Sequence, residues 1–320
     1  MSRQKLLILT GPTAVGKTKL SLALANSLGG EILSADSMQV YRGMNIGTDK
    51  ILPEQRAGIP HHLINIMDPR EDFNVFRFQE LALQAIDEIT ARGHLPIMVG
   101  GTGFYIQSVL YRIDFTKESD DGSYRQDLER RAGEEGAAAL HAELASVDPD
   151  AAAAIHPNNV KRVIRALEYH HFTGGRISAH NETQHARDAA FDALYFVLTD
   201  DRQKLYERID RRVDQMIGEG LEREVRGLMA EGLTGKEVSM QGLGYRQMVP
   251  YIRGEISLEE AVYRIKLETR HFAKRQLTWF KRERDVRYID RREYPSDEDA
   301  LQAILDIAEP WYKLHDDTSV

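Results

Sequence analysis

The chain has 320 residues, of which 42% are hydrophobic and 29% charged, and its formal net charge is −8. It contains no cysteine, which excludes disulfides, thiolate nucleophiles and zinc sites with sulfur ligands. No apolar run reaches the ~18 residues of a membrane span. The first residues also lack the apolar core of a signal peptide, so we expect a cytoplasmic protein.

In the first hundred residues, apolar strand-like segments alternate with amphipathic helices. Such alternation predicts a parallel sheet covered by helices on both faces, with ligands bound at the carboxyl ends of the strands. The predicted strands are Leu6–Thr10, Glu31–Ser34, His62–Ile66 and Leu95–Val99, and the predicted helices are Lys17–Leu28 and Phe76–Thr90.

The middle of the chain has helical stretches, Arg125–Ala145 and Val160–Thr173, and no strand pattern. We therefore divide the chain into the first part of an α/β core (1–113), a helical insertion domain (114–190) and a return to the core (191–320). In the last part we predict strands at Asp192–Thr199 and Val286–Asp290, and helices at Lys204–Met229, from Ser257 to about Arg284, and at Asp297–Ala308.

A phosphate-binding motif follows the first strand. The segment GPTAVGKT fits the P-loop pattern G-x-x-x-x-G-K-[ST] without a mismatch and lies between a strand and a helix, which makes a chance match the weaker interpretation. Its glycines let backbone N–H groups converge on phosphate, and the Thr18 hydroxyl is a usual ligand of Mg²⁺. We predict a diphosphate or triphosphate bound by Gly11, Pro12, Thr13, Ala14, Val15, Gly16, Lys17 and Thr18.

The rest of an ATPase site is not evident. The strand that would end in an Mg²⁺-holding Asp ends instead in Gly100-Gly-Thr-Gly103. A small-molecule kinase, which often lacks this Asp, remains possible, as does an RNA-binding protein that uses the loop only as an anion site. The kinase alternative leaves the basic C-terminal helix without a role, and the RNA-binding alternative leaves Asp36 at the end of the second strand unexplained.

Positive charge is concentrated near the end of the chain. Residues 264–292 contain eleven Lys or Arg and four Asp or Glu, a balance of +7, which leaves −15 for the remainder. Such a segment can bind a phosphate backbone because binding depends on the local field. A solvated amphipathic helix is the alternative.

Six segments between residues 11 and 282 form a specific set: GPTAVGKT, SADSMQVYRGMNIGTDK, VGGTGFY, HPNNVKRVIRALE, QGLGYRQ and AKRQLTWFKR. In this order they resemble the bacterial tRNA dimethylallyltransferase family. The resemblance implies a P-loop NTPase-like fold whose loop holds dimethylallyl diphosphate instead of ATP, with Mg²⁺ as cofactor. It also implies transfer of the dimethylallyl group to N6 of the tRNA adenosine on the 3′ side of the anticodon (position 37).

The resemblance assigns the catalytic residues. Asp36 is expected to be the general base toward N6, with a second-sphere Mg²⁺ ligand or an N-cap as its alternative roles. Thr102 and Lys17 are expected to stabilise the leaving diphosphate.

An arginine from the segment Arg208–Arg212 is expected to complete the diphosphate site, and Arg212 is favoured. Alternatively, these arginines pair with Asp210 and Asp214 on one helix face.

The target adenosine must leave its stack to react, so we expect aromatic and basic residues to hold the tRNA. Gln39 is a candidate for reading the adenine edge, or a polar surface residue, and Trp279 is an RNA contact or a core residue. We predict a turn at residues 242–247 and a monomer. The predicted tRNA contacts are Asp36, Ser37, Met38, Gln39, Lys161, Arg162, Val163, Ile164, Arg165, Gly244, Tyr245, Arg246, Lys274, Arg275, Gln276, Trp279 and Arg282.

Overall fold

The computed structural model describes residues 3–115, 122–185 and 187–313. Its sheet strands are β1 (Lys5–Thr10), β2 (Gly30–Ala35), β3 (His61–His62), β4 (Leu95–Gly100), β5 (Asp192–Thr199) and β6 (Val286–Asp290). They lie in the order β3–β2–β4–β1–β5–β6, and every neighbouring pair is parallel. The predicted fold class, a P-loop-like parallel sheet flanked by helices, is confirmed.

The helices of the described ranges connect and cover the strands. The first three are α1 (Lys17–Leu28), α2 (Val75–Ala91) and α3 (Gly103–Leu110). The next five are α4 (Ser123–Glu134), α5 (Ala137–Val147), α6 (Pro149–Ala154), α7 (Val160–Thr173) and α8 (Ile177–His185). The last five are α9 (Arg202–Glu219), α10 (Leu221–Ala230), α11 (Tyr245–Ile252), α12 (Leu258–Phe280) and α13 (Asp297–Lys313). Among the described residues, none of these helices combines the length and apolar character that crossing a membrane requires.

The central strand β1 shows why the sheet is covered on both faces. Its side chains alternate, so Leu6 and Ile8 join the core that contains Phe78 of α2. Leu7 and Leu9 join the opposite core with α1 and α13. Because both faces are buried, the strand reads as a continuous apolar run.

The chain divides into two compact units, residues 1–112 with 189–320 and residues 113–188. The second unit has an apolar core of its own that includes Leu128, Leu144 and Leu167. The predicted insertion, 114–190, differs from this unit by one or two residues at each end. Of the predicted domains, residues 1–2, 116–121, 186 and 314–320 lie outside the described residues.

Three predicted elements differ from the structure. The third strand stops at His62, not at residue 66, because Leu63 and Asn65 adopt left-handed φ angles of 60° and 59° that a strand cannot contain. The predicted helix 204–229 is divided into α9 and α10 at Gly220, whose φ is 103°. The segment predicted as a turn at 242–247 leads directly into α11 at Tyr245.

Candidate active site

The phosphate-binding loop begins where β1 ends and leads into α1. Gly11 has a φ of 147°, and a Cβ there would lie 2.6 Å from the carbonyl oxygen of Leu198, so this turn requires glycine. Ala14 is held in the left-handed region at a φ of 62°, a strained conformation that is frequent at ligand sites. The strand–loop–helix context that the motif needs is therefore present.

Lys17, the first residue of α1, is the cation of this loop. Its Nζ donates hydrogen bonds to the carbonyl oxygens of Gly11 (3.0 Å) and Pro12 (2.7 Å). Burial lowers the pKa of Lys17 to about 8, with a further lowering contribution from the charge of Arg212 and raising contributions from carboxylates nearby. A phosphate ligand would hold the group in its protonated form.

Asp36 directly follows β2 and shapes the turn after it. Its Oδ1 accepts hydrogen bonds from the backbone N–H groups of Met38 (2.8 Å) and Gln39 (3.3 Å). Such a turn built on an Asp side chain is a common local motif. Within the described part of the chain, no hydrogen bond reaches Oδ2, so one carboxylate oxygen remains for a ligand.

A cavity of about 100 Å³ at the carboxyl ends of β1, β2 and β4 brings these groups together. This is the edge where the sheet rule places a ligand. The phosphate loop and β2 with its following segment contribute Thr13, Lys17, Thr18, Ser34, Asp36, Gln39 and Asp49 to its lining. The end of β4 contributes Gly100 and Gly101, and α12 contributes Phe272 and Gln276.

Arg212 of α9 reaches the same loop. One of its guanidinium nitrogens donates to the hydroxyl of Thr13 (3.0 Å), and another lies 2.9 Å from a carboxylate oxygen of Asp49. Burial lowers the pKa of Arg212, while the two carboxylates Asp49 and Asp36 raise it. The guanidinium therefore stands between the phosphate loop and an acidic side chain.

The other arginines of the segment have different partners. Arg208 forms an ion pair with Asp200. Asp210 and Asp214 pair with Arg270 (2.9 Å) and Lys266 (2.6 Å) of α12, not with arginines of their own helix. The alternative of pairing along one helix face therefore does not describe this segment.

Gln276 of α12 ties the loop to the end of β4. Its Oε1 accepts from the backbone N–H of Thr13 (2.8 Å), and its Nε2 donates to the carbonyl oxygen of Gly101 (3.0 Å). The side chain is buried. Trp279, one turn later, packs edge-on against Phe104 and is partly buried against the core.

The comparisons with known proteins bear on the same residues. A family model described as IPP transferase matches residues 39–283, and one described as isopentenyl transferase matches residues 4–62. The chain belongs to the IPP transferase family.

Individual members of the IPP transferase family agree along nearly the whole chain. A tRNA dimethylallyltransferase of Lachnoclostridium phytofermentans is 56% identical, over 95% of this chain and 97% of its own. The tRNA isopentenylpyrophosphate transferase structure from Bacillus halodurans is 44% identical, with a TM-score of 0.74 and 97% of each chain covered. A eukaryotic dimethylallyltransferase described as acting on tRNA is 31% identical, with a TM-score of 0.83, and the match covers 96% of this chain and 79% of that one.

Four side chains predicted to contact tRNA, those of Val163, Ile164, Tyr245 and Gln276, are buried in this IPP transferase family member. Val163 and Ile164 belong to the core of the helical unit, which is where the period of α7 directs them. Tyr245 is 0% exposed, and its hydroxyl donates to Glu224 (2.6 Å). These side chains are not available to RNA in this structure, which corrects the prediction that they contact it.

The basic residues of the prediction are mostly on the surface. Lys161 and Arg162 are exposed on α7 of the helical unit. Arg246 forms an ion pair with Glu268. The exposed cations of α12 and the turn after it are Lys274, Arg275 and Arg282.

Asp49 and Arg291 were missed at the sequence level. Asp49 lies inside one of the six segments, so a charged residue of that segment could have been predicted to be near the site. Arg291, which follows β6, donates to the carbonyl oxygen of Val15 in the phosphate loop (3.1 Å). No motif marks Arg291, because its contact joins residues 276 positions apart.

The protein oxygen atoms at the site fit a magnesium ion that is held mainly by bound phosphate. Among the described residues, no cluster of three or more His, Asp or Glu could hold a metal alone. Mg²⁺ usually binds one or two protein oxygens and completes its shell with water and phosphate oxygens. Thr18, which lines the cavity and is exposed, suits that mode.

Proposed function

We propose that this protein is a tRNA dimethylallyltransferase. It transfers the dimethylallyl group of dimethylallyl diphosphate to N6 of the adenosine at position 37 of tRNA and releases diphosphate. The observation that carries the proposal is the cavity shared by the phosphate loop and Asp36. The names of the relatives support the choice of substrates.

The first chemical task is to stabilise the leaving diphosphate. As the bond between C1 and the diphosphate oxygen breaks, negative charge grows on that oxygen. Lys17, Arg212 and the loop amides supply fixed positive charge there, and the loss of one such donor costs about 3 kcal/mol of transition-state stabilisation. Mg²⁺ on the Thr18 hydroxyl would add to this charge. We also assign Thr102, the N-cap residue of α3, to the residues that stabilise the leaving diphosphate.

The second task is to remove a proton from N6. The bond from N6 to C1 forms, and the proton passes to the carboxylate of Asp36. The amine becomes acidic only as the new bond forms, so position matters more than the basicity of Asp36. Oδ1 is engaged by two backbone N–H groups, which orient the carboxylate and leave Oδ2 to accept the proton.

The tRNA is held by surfaces outside the cavity. We assign tRNA contacts to Lys161, Arg162 and Arg165 of α7, to Lys274 and Arg275 of α12, and to Arg282 in the turn after α12. Ser37, Met38, Gly244 and Arg246 are assigned to the neighbourhood of the flipped base. A tRNA substrate agrees with a cytoplasmic location, and a monomeric state stays a prediction.

Transfer of radiolabelled dimethylallyl from its diphosphate to unmodified tRNA tests the proposal. We expect label in tRNA only when Mg²⁺ is present, and no hydrolysis of ATP in a parallel reaction. ATP turnover without labelled tRNA would favour the kinase alternative. Binding of tRNA without any transfer would favour the RNA-binding alternative.

A further inference from the structure

Asp49 occupies an unexpected place for an acidic residue, since it lines the cavity of an anionic ligand. Its Oδ2 lies 2.9 Å from a guanidinium nitrogen of Arg212. Arg212 also donates to Thr13 of the phosphate loop. A phosphate bound in the loop and the Asp49 carboxylate are therefore two anions that approach the same guanidinium.

The balance of charge makes this competition relevant. Lys17 and Arg212 are cations at the loop, in addition to Arg291 on Val15, and Asp36 and Asp49 are carboxylates that line its cavity. Asp36 has a chemical task in the proposed reaction and holds its turn. Asp49 has neither, and its charge opposes a diphosphate that carries about three negative charges.

Asp49 is also held in position by its backbone. Its φ of 50° is in the left-handed region, which Asp and Asn tolerate better than other residues with side chains. The preceding amides of Asn45, Ile46 and Gly47 donate to the carboxylate of Glu224 (2.9, 2.8 and 3.2 Å). The carbonyl oxygens of residues 48 and 49 accept from Gln39 of the cavity wall. The loop thus presents Asp49 to Arg212 from a braced backbone.

We propose that Asp49 is an affinity-setting residue that competes with the donor diphosphate for Arg212. Binding of the donor exchanges the Arg212–Asp49 ion pair for an Arg212–phosphate contact. After transfer, Asp49 takes Arg212 back and so assists the release of diphosphate. This inference rests on the proposed function of the phosphate loop.

Calorimetric titration with inorganic diphosphate, with and without Mg²⁺, tests the inference without requiring tRNA or turnover. Asp49→Asn keeps the left-handed backbone and the size of the side chain while removing the charge. We expect it to bind diphosphate about three- to tenfold more tightly than the parent protein, because Asp49 is half-exposed and its charge partly screened. The gain should be larger without Mg²⁺, since the ion itself neutralises phosphate charge.

Two further variants test whether the effect of Asp49 acts through Arg212 or is a general effect of charge. In an Arg212→Ala background the effect of Asp49→Asn should shrink, because Arg212 carries the competition. Glu54→Gln removes an equal charge from an exposed residue outside the cavity and should leave diphosphate affinity unchanged.

The outcomes are distinct. Weaker binding by Asp49→Asn in Mg²⁺ would make Asp49 a ligand of the metal–diphosphate complex and overturn the inference. Unchanged binding, or a gain that persists in the Arg212→Ala background, would also overturn it while leaving the proposed function intact. If the parent protein does not bind diphosphate at all, the assignment of the phosphate loop fails, and the inference fails with it.

Discussion

At the scale of single residues, Asp36 has two roles, and each of its carboxylate oxygens serves one of them. Oδ1 accepts the two backbone hydrogen bonds of the turn after β2, and Oδ2 is proposed to take the proton from N6. The predicted alternatives for Asp36 included a capping role, and the structure contains a related one in the turn. Capping and catalysis are compatible here because they use different atoms.

The two tasks can be separated by substitution. Asp36→Asn retains an Oδ1 acceptor but is not a base, so we expect prenyl transfer to fall by about 10²–10⁴-fold. Its thermal unfolding should match that of the parent protein. Asp36→Ala should lose the same activity and, in addition, about 1 kcal/mol of stability from the lost turn. Both variants should still bind tRNA, and near-normal turnover in Asp36→Asn would contradict the assignment of the base.

Lys17 gives the reaction a pH limit. Its pKa is lowered to about 8, first by burial, so the free enzyme loses this charge as the pH rises through that value. We expect kcat/KM for the donor to fall above about pH 8, by about tenfold per pH unit. Because bound diphosphate favours protonated Lys17, kcat should fall only at higher pH.

Lys50 provides the control for this profile. Its pKa is also lowered to about 8, first by burial, but its Nζ donates to the carbonyl oxygen of Tyr41 and to Asn65, and not to the phosphate loop. In Lys50→Gln the decline above pH 8 should persist. A profile that stays flat to pH 9.5 would contradict a limit set by Lys17, and a decline that disappears in Lys50→Gln would assign the limit to Lys50.

At the scale of secondary structure, α10 and α11 together brace the loop 45–50. Glu224 of α10 accepts from three successive backbone N–H groups and from the hydroxyl of Tyr245 in α11. The Tyr245 ring lies so close to Gly47 that an added Cβ would come within 2.5 Å of it. This packing explains why Tyr245 is buried although its segment was predicted to face tRNA.

Removing this brace should be costly. In Glu224→Gln one acceptor oxygen becomes an NH₂ group that faces backbone donors, so we expect a loss of about 1–3 kcal/mol in the free energy of unfolding. Tyr245→Phe removes one hydrogen bond and should lose less. Glu222→Gln, which affects an i,i+4 pair with Arg226 and a hydrogen bond from the hydroxyl of Tyr251, should cost under about 1 kcal/mol. Urea denaturation measures all three, and equal losses in Glu224→Gln and Glu222→Gln would refute the bracing role.

Boundaries were less predictable than the elements themselves. The glycine that separates α9 from α10 lies within a stretch that reads as one amphipathic helix, and only its positive φ divides it. The break at this glycine separates the helix that carries Arg212 from the helix that carries Glu224, so it affects two residues that act at the site and at the loop beside it.

At the scale of the whole molecule, the overall charge of −8 coexists with local basic surfaces. Lys161 and Arg162 lie exposed near the start of α7, in the helical unit. We expect the double substitution of both by Ala to weaken tRNA binding and to make its salt dependence shallower, by roughly 0.7 in slope for each phosphate that the variant no longer neutralises. Binding titrations at several salt concentrations measure this slope.

The same unit offers a matched control. Arg130 of α4 is exposed, but it is already paired with Asp127 and Glu134. Arg130→Ala should leave the slope unchanged. An unchanged slope in the Lys161 and Arg162 double variant as well would mean that this surface of α7 does not contact phosphate.

The parallel sheet, the phosphate loop and the place of Asp36 at a strand end could all be predicted from the sequence. These features depend on local rules: apolar runs, glycine spacing and the side on which parallel strands end. Long-range packing was needed to show that Gln276 reaches Thr13 across 263 positions, that Arg212 meets Asp49, and that Val163, Ile164 and Tyr245 are buried. A matching segment identifies residues but not the direction of their side chains, because that direction is set by packing against residues far away in the chain.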